Sequence, residues 1–154
     1  MGIDSTFGSA FWKSQLAAGQ DLPSRGNVFL SVKNRDKRNV VFIAKKLSDL
    51  GFTIYATKGT GKVLANNGID VTFINKVSEG RPHVVDMIKN GGIQFIINTP
   101  SGRNPKMDEV AIRSGAVQYK IPYTTTLSGA QAVVNAIEVM QRGTLKVRAL
   151  QDYY

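Results

Sequence analysis

The stretch "ATKGTGK" at positions 56–62 places two glycines, two threonines and two lysines within seven residues. Glycine lets a backbone approach an anion closely, and the free N–H groups of a helix starting near Gly59 would point at it. Thr57 and Thr60 supply hydroxyl donors, and Lys37, Lys58, Lys62 and Arg103 are available as counter-charges. The chemistry implied is the holding of a phosphate. A triphosphate loop requires Gly, four residues, then Gly-Lys-Ser/Thr. Here Ala56 takes the first glycine position and Val63 the position of the magnesium-binding hydroxyl. The dinucleotide pattern fails as well, because Leu64 replaces its last glycine. The stretch therefore suits a metal-free phosphate monoester better than a nucleoside triphosphate. On these residues alone, an ordinary Gly-Thr turn capping a helix remains open.

A second polar stretch, "NKVSEGRPH" at 75–83, gathers Lys76, Glu79, Arg81 and the single histidine. His83 and Asp86 have helical spacing for a shared metal, but no further ligands are evident. A structural, helix-terminal role for His83 is the expectation. Asp108 and Glu109 are adjacent, so on a helix they diverge and make a poor acid/base pair; the acidic residues otherwise read as solvated faces.

The elements that must position these groups alternate along the chain. Residues 7–19 read as a short amphipathic helix and 19–26, "GQDLPSRG", as a linker. Then come a strand at 27–32, a helix at 36–51 stopped by Gly51, a strand at 52–56, and a short helix at 61–68. They are followed by a strand at 70–74, a helix after Pro82, the apolar strand "IQFIINT" at 93–99, and a helix at 105–115. "AVQYKIPY" at 116–123 reads as a strand, 126–143 as a helix, and "TLKVRAL" at 144–150 as a final edge strand. Such alternation implies an α/β, Rossmann-like fold: a parallel sheet sandwiched by helices on both faces. Right-handed crossovers then bring "SVKNRDK", "ATKGTGK" and "NTPSGRN" to the carboxyl edge of the sheet, where ligands of such folds bind.

Bulk properties narrow the partners. The 154 residues suit one domain, and 42% hydrophobic residues suffice for a core. Without cysteine there is no disulfide framework and no thiol chemistry. No apolar run approaches the roughly 20 residues that span a bilayer, and the first residues lack the pattern of a secretory signal, so a soluble, cytoplasmic protein with no membrane partner is expected. A net charge of +9 favours anionic ligands. The densest basic run, 33–38, has four cations but no interleaved aromatic residue, which argues against nucleic acid.

"SVKNRDK", "ATKGT", "NKVSEGRPH" and "IINTPSG", in this order and spacing, closely resemble the carboxyl-terminal regulatory domain of the carbamoyl-phosphate synthase large chain, which has the methylglyoxal-synthase-like fold. The resemblance runs from residue 27 to 154. Residues 1–19 are similar to the final helix of the preceding ATP-grasp synthetase domain, with 20–26 as linker. It implies a non-catalytic effector site, on a parent ligase that makes carbamoyl phosphate for pyrimidine and arginine biosynthesis using ATP with Mg or Mn. The effector implied is a nucleoside monophosphate, UMP or IMP; no cofactor is implied for this domain. The partners implied are the rest of the large chain and the small glutaminase subunit, with self-association left open. Family effector-binding positions fall on Ser31, Lys37, Thr57, Thr60, Lys76 and Asn98, and the loops around them add Lys58, Gly59, Thr99, Ser101 and Arg103. Pro100 stands where the family often has a second threonine, and Lys58 where it often has histidine or glycine. The competing expectation is a stand-alone methylglyoxal synthase-like lyase acting on dihydroxyacetone phosphate. It needs a carboxylate base beside the phosphate, for which Asp36 and Asp70 are the nearest residues.

Overall fold

The computed structural model describes residues 1–102 and 107–154. Its helices are α1 (Phe7–Ala17), α2 (Lys37–Asp49), α3 (Lys58–Asn66), α4 (Val84–Lys89), α5 (Met107–Gln118) and α6 (Leu127–Arg142). Its strands are β1 (Asn27–Ser31), β2 (Thr53–Ala56), β3 (Val71–Phe73), β4 (Phe95–Asn98) and β5 (Tyr123–Thr124). All pairings are parallel, in the order β3-β2-β1-β4-β5. No helix among the described residues is long and apolar enough to cross a membrane.

The period-2 geometry of a strand divides the core. Val28 and Leu30 of β1 face Val40, Ala44 and Leu47 of α2 and Val134 and Ile137 of α6. Phe29, between them, joins Ile96, Val84 and Ile88 of α4, and Ile112 and Ala116 of α5 on the other side. Both faces are therefore covered, and β1 and β4 read as unbroken apolar runs. Gly51, at φ 94, ends α2 by taking the left-handed conformation as Phe52 N donates to the Leu47 carbonyl at 3.0 Å. Lys46 of α2 meets Glu138 of α6 at 3.0 Å. That hydrogen bond, with Arg142 beside it, holds the Glu138 carboxyl below its ordinary pKa.

Two expected strands are corrected. Residues 116–123 do not form one: α5 continues to Gln118, because Ala116 and Gly115 are packed toward Ile88 of α4. Lys120, at φ 54, then turns the chain, with Ile121 N donating to the Ala116 carbonyl at 2.8 Å, so only Tyr123–Thr124 pair with β4. Residues 144–150 form no strand either. A two-residue edge offers almost no ladder to extend, and Val147 is fully in solvent.

Helix α1 lies on α6. Thr6 caps its start by accepting from Ser9 N, and Phe11 and Trp12 pack at the margin of the core while Phe7 stays exposed. Leu22, in the 19–26 segment, is buried. The two ends of the chain are clasped. Lys13 pairs with Asp4 at 2.7 Å and donates to the Tyr153 hydroxyl at 3.0 Å, and that hydroxyl donates to the Ile3 carbonyl at 3.0 Å.

The α1–α6 contact depends on Gly8. A Cβ there would stand 2.7 Å from both the Asn135 carbonyl oxygen and Val139 Cγ2. Gly8→Val is expected to pry α1 from α6 and to cost about 1–3 kcal/mol of stability. Urea unfolding, with hydrogen exchange over residues 5–18, measures both effects; unchanged protection there would refute the contact.

Candidate functional site

The strand order changes direction between β1 and β4: β1 leads to α2 on one face and β4 toward α5 on the other. Loops that leave a sheet in opposite directions open a crevice at the carboxyl ends of their strands. The register sets its floor, because Ser31 pairs with Asn98 as the last residue of each strand. Ala56, ending β2, is level with Leu30.

The backbone leaving these strands is tied together by buried hydroxyls. Thr60 Oγ1 accepts from Val32 N at 3.1 Å, and Thr99 Oγ1 accepts from Lys33 N at 2.9 Å. Thr99 N donates to the Ser31 carbonyl at 3.1 Å, and Thr57 Oγ1 lies 3.4 Å from Ser31 Oγ. Thr57, Thr60, Asn98 and Thr99 are all at most 3% exposed. Asn98 Nδ2 donates to the Tyr123 hydroxyl at 3.1 Å. Buried polar groups must be satisfied in this way, and the satisfied network fixes the loop conformation.

Above it lies a cleft of about 190 Å³. Ser31, Lys33, Asn34 and Lys37 form one wall. Lys76 enters from the turn after β3; Asn98, Thr99 and Ser101 come from β4 and its loop; Asp108 and Glu109 come from the first turn of α5. Of the expected site residues, Ser31, Lys37, Lys76, Asn98, Thr99 and Ser101 are thus brought together. Thr57, Lys58, Gly59 and Thr60 are not on the cleft lining. Thr57 is the N-cap of α3, and Thr60 is turned inward to hold Val32 N. Gly59 sits beneath Lys37, whose Nζ would be 2.8 Å from a Cβ at that position. Lys58 is exposed, and Arg103 lies outside the described residues. Lys37 Nζ donates to Asn34 Oδ1 at 2.7 Å, which aims the ammonium across the Gly59 backbone.

Lys33, Asn34, Asp108 and Glu109 were missed as lining residues. The first two stand in the loop "SVKNRDK", so their place at the carboxyl edge was the available signal. Asp108 and Glu109 do diverge on the helix, but each then reaches a different loop. Asp108 accepts from Ser78 N at 3.0 Å and Ser78 Oγ at 2.8 Å, while Glu109 accepts from Ser101 N at 3.1 Å. They are therefore not merely a solvated face. Of the carboxylates nominated for a lyase, Asp36 is not on the cleft lining but stands at its margin, in the turn Asn34–Asp36 and 3.8 Å from Lys33 Nζ, while Asp70 immediately precedes the edge strand β3, at the amino end of the sheet.

His83 is the N-cap of α4. Its Nδ1 accepts from Asp86 N at 3.4 Å, and Asp86 Oδ2 accepts from His83 N at 3.1 Å, a reciprocal capping box. With Nδ1 engaged and the side chain buried, it performs the structural role expected of it. No cluster of potential metal ligands occurs among the described residues.

Residues 39–125, more than half of the chain, match the family model described as the MGS-like domain, and the chain belongs to that family. The methylglyoxal synthase from Elizabethkingia anophelis superposes with a TM-score of 0.61 over 73% of this chain and 79% of that one, at 19% identity, so the two share the fold. Within the family, the chain is similar to the carbamoyl phosphate synthase large chain. It is 48% identical to the C-terminal section of that protein from Methanopyrus kandleri, covering 100% of this chain and 29% of the relative. It is 51% identical to the large chain from Nostoc sp., covering 99% of this chain and 14% of the relative. The chain thus spans less than a third of these relatives.

Replacing Thr60 by Val keeps its volume but strands the buried Val32 N–H. A loss of about 1–3 kcal/mol is expected in urea unfolding, with Thr60→Ser close to the parent. Equal stability of all three proteins would show that the hydroxyl is dispensable.

Proposed function

We propose that this chain is the effector-binding domain of a glutamine-dependent carbamoyl phosphate synthase large chain, and that its cleft holds the phosphate of a nucleoside monophosphate of the UMP or IMP type. The observation that carries this reading is the convergence of Lys33, Lys37 and Lys76 with Ser31 and Asn98 above a buried hydroxyl network at the β1–β4 crevice. Three ammonium groups and several neutral donors suit a phosphate dianion. Hydroxyls engaged in holding backbone are poor metal ligands, in keeping with a metal-free site. In the assembled enzyme the rest of the large chain would use ATP with Mg or Mn, and a small glutaminase subunit would supply ammonia. Binding at the cleft would then bias a remote active site by roughly 1–3 kcal/mol, typical of allosteric linkage.

A methylglyoxal-forming lyase has one feature in its favour: Asp108 and Glu109 bring carboxylates into the cleft. Their engagement by Ser78 and Ser101 weighs against a free base. Incubation with dihydroxyacetone phosphate separates the readings, since only the lyase releases methylglyoxal and inorganic phosphate.

Calorimetric titration with UMP and IMP is expected to give saturable 1:1 binding of at least one. Lys76→Ala should weaken it by roughly tenfold to a hundredfold, the loss of a charge-assisted hydrogen bond. No saturable binding of either nucleotide at millimolar concentration would sink the reading.

A further inference from the structure

We propose that Asp108 is a positioning residue: its carboxylate clasps Ser78, holds the turn that carries Lys76 against the cleft, and so sets the affinity for a phosphate without contacting it. The inference rests on the phosphate-binding reading above. Lys76 is the cation supplied from the far side of the cleft. Its turn is held on one side by Asn75, whose carbonyl accepts from Val84 N at 3.2 Å and whose Nδ2 donates to the Pro82 carbonyl at 3.2 Å, but has little regular structure beyond Lys76. It follows β3, a strand of three residues. Lys76 itself is extended, at φ −69 and ψ 162, and only one short 3-10 turn, Val77–Glu79, follows before Gly80 at φ 98. The internal hydrogen bonds of that turn are Glu79 N to the Lys76 carbonyl at 3.0 Å and Gly80 N to the Val77 carbonyl at 3.5 Å. The Val77 side chain gives it an apolar foothold, partly buried beside the core, but such a contact is non-directional.

Direction comes from Asp108. One carboxylate oxygen accepts from Ser78 N at 3.0 Å and the other from Ser78 Oγ at 2.8 Å. Two bonds from one planar group fix distance and tilt together. The helix that supplies the carboxylate is itself anchored, with Ile112 and Ala116 buried one and two turns further on. Lys76 is thereby referenced to the core through α5 and not only through a short edge strand. The clasp also accounts for a carboxylate in the lining of an anion site. Its charge remains beside the ligand, but both oxygens are turned to the Ser78 donors, whose dipoles offset part of its field. If loss of the clasp leaves the turn in its binding position about one-tenth of the time, apparent affinity falls about tenfold.

The test compares wild type, Ser78→Ala, Ser78→Thr, Asp108→Ala and the double alanine variant of the 154-residue chain. Inorganic phosphate and UMP are titrated separately, with the unliganded thermal midpoint of each protein measured as a control. Asp108→Ala is expected to weaken both ligands about tenfold. Ser78→Ala, which keeps the backbone donor, should weaken both by a smaller factor, and the double variant should be no worse than Asp108→Ala. Ser78→Thr should bind as wild type, and unliganded midpoints should stay together. Should Asp108→Ala not fold, Ser78→Ala and Ser78→Thr read the same contact. Wild-type binding by Ser78→Ala overturns the clasp and leaves the phosphate reading standing. Tighter binding by Asp108→Ala overturns it in favour of simple repulsion, and weakening of UMP alone overturns it in favour of a direct contact to the nucleoside. Failure of wild type to bind either ligand overturns both proposals.

Discussion

The parallel pairing of β1 with β4 is the constraint on which the rest depends. It places Ser31 beside Asn98 at the last rung of the ladder. It is also the place where the order of strands along the chain reverses, with α2 following β1 on one face and α5 following β4 on the other. A crevice at that point is a consequence of chain geometry before any side chain is chosen. Side chains then decide what it can accept. The segment leaving β1 carries the Val32 and Lys33 N–H groups into a buried place, and the Thr60 and Thr99 hydroxyls answer them. Polar residues beneath the cleft thus serve the fold first, and by holding the loops they set the positions of Lys33 and Lys37.

Charge is distributed on the same logic. A chain with net charge +9 must space its cations or suffer self-repulsion. At the cleft it tolerates three lysines among carboxylates and amides: Lys33 has Asp36 at 3.8 Å, Lys37 has Asn34, and the first turn of α5 contributes Asp108 and Glu109. Those two acids at the helix start also complement its dipole. They bind the Lys76 turn and the β4 loop respectively, so one helical turn steadies two of the segments that form the site.

Much of this was legible in the residues. Apolar runs such as residues 95–97, the glycine stop at Gly51 and the alternation of elements fix a parallel sheet, and its carboxyl edge gathers the loops that line the cleft. Two things were not legible. Strand and helix compete for short apolar runs, and only the contact of Gly115 and Ala116 with α4 decides for helix at 116–118. Nor does local spacing tell whether a threonine hydroxyl faces a ligand or the backbone. Thr60 stands one residue from Gly59 in a loop suited to phosphate, yet it is 1% exposed and holds Val32 N. The contact made by Asp108 was hidden for a related reason, since its partner Ser78 is thirty positions away.

The junction of Ile3, Asp4 and Lys13 with Tyr153 closes the chain into a non-covalent ring. Ends of a polypeptide ordinarily unravel independently, each on its own local free energy. Here the segment of Ile3 and Asp4 and the segment of Tyr153 meet at Lys13, so loosening of either should loosen the other as one cooperative unit. Trimming a few residues from the tail would loosen the first helix at the opposite end of the sequence.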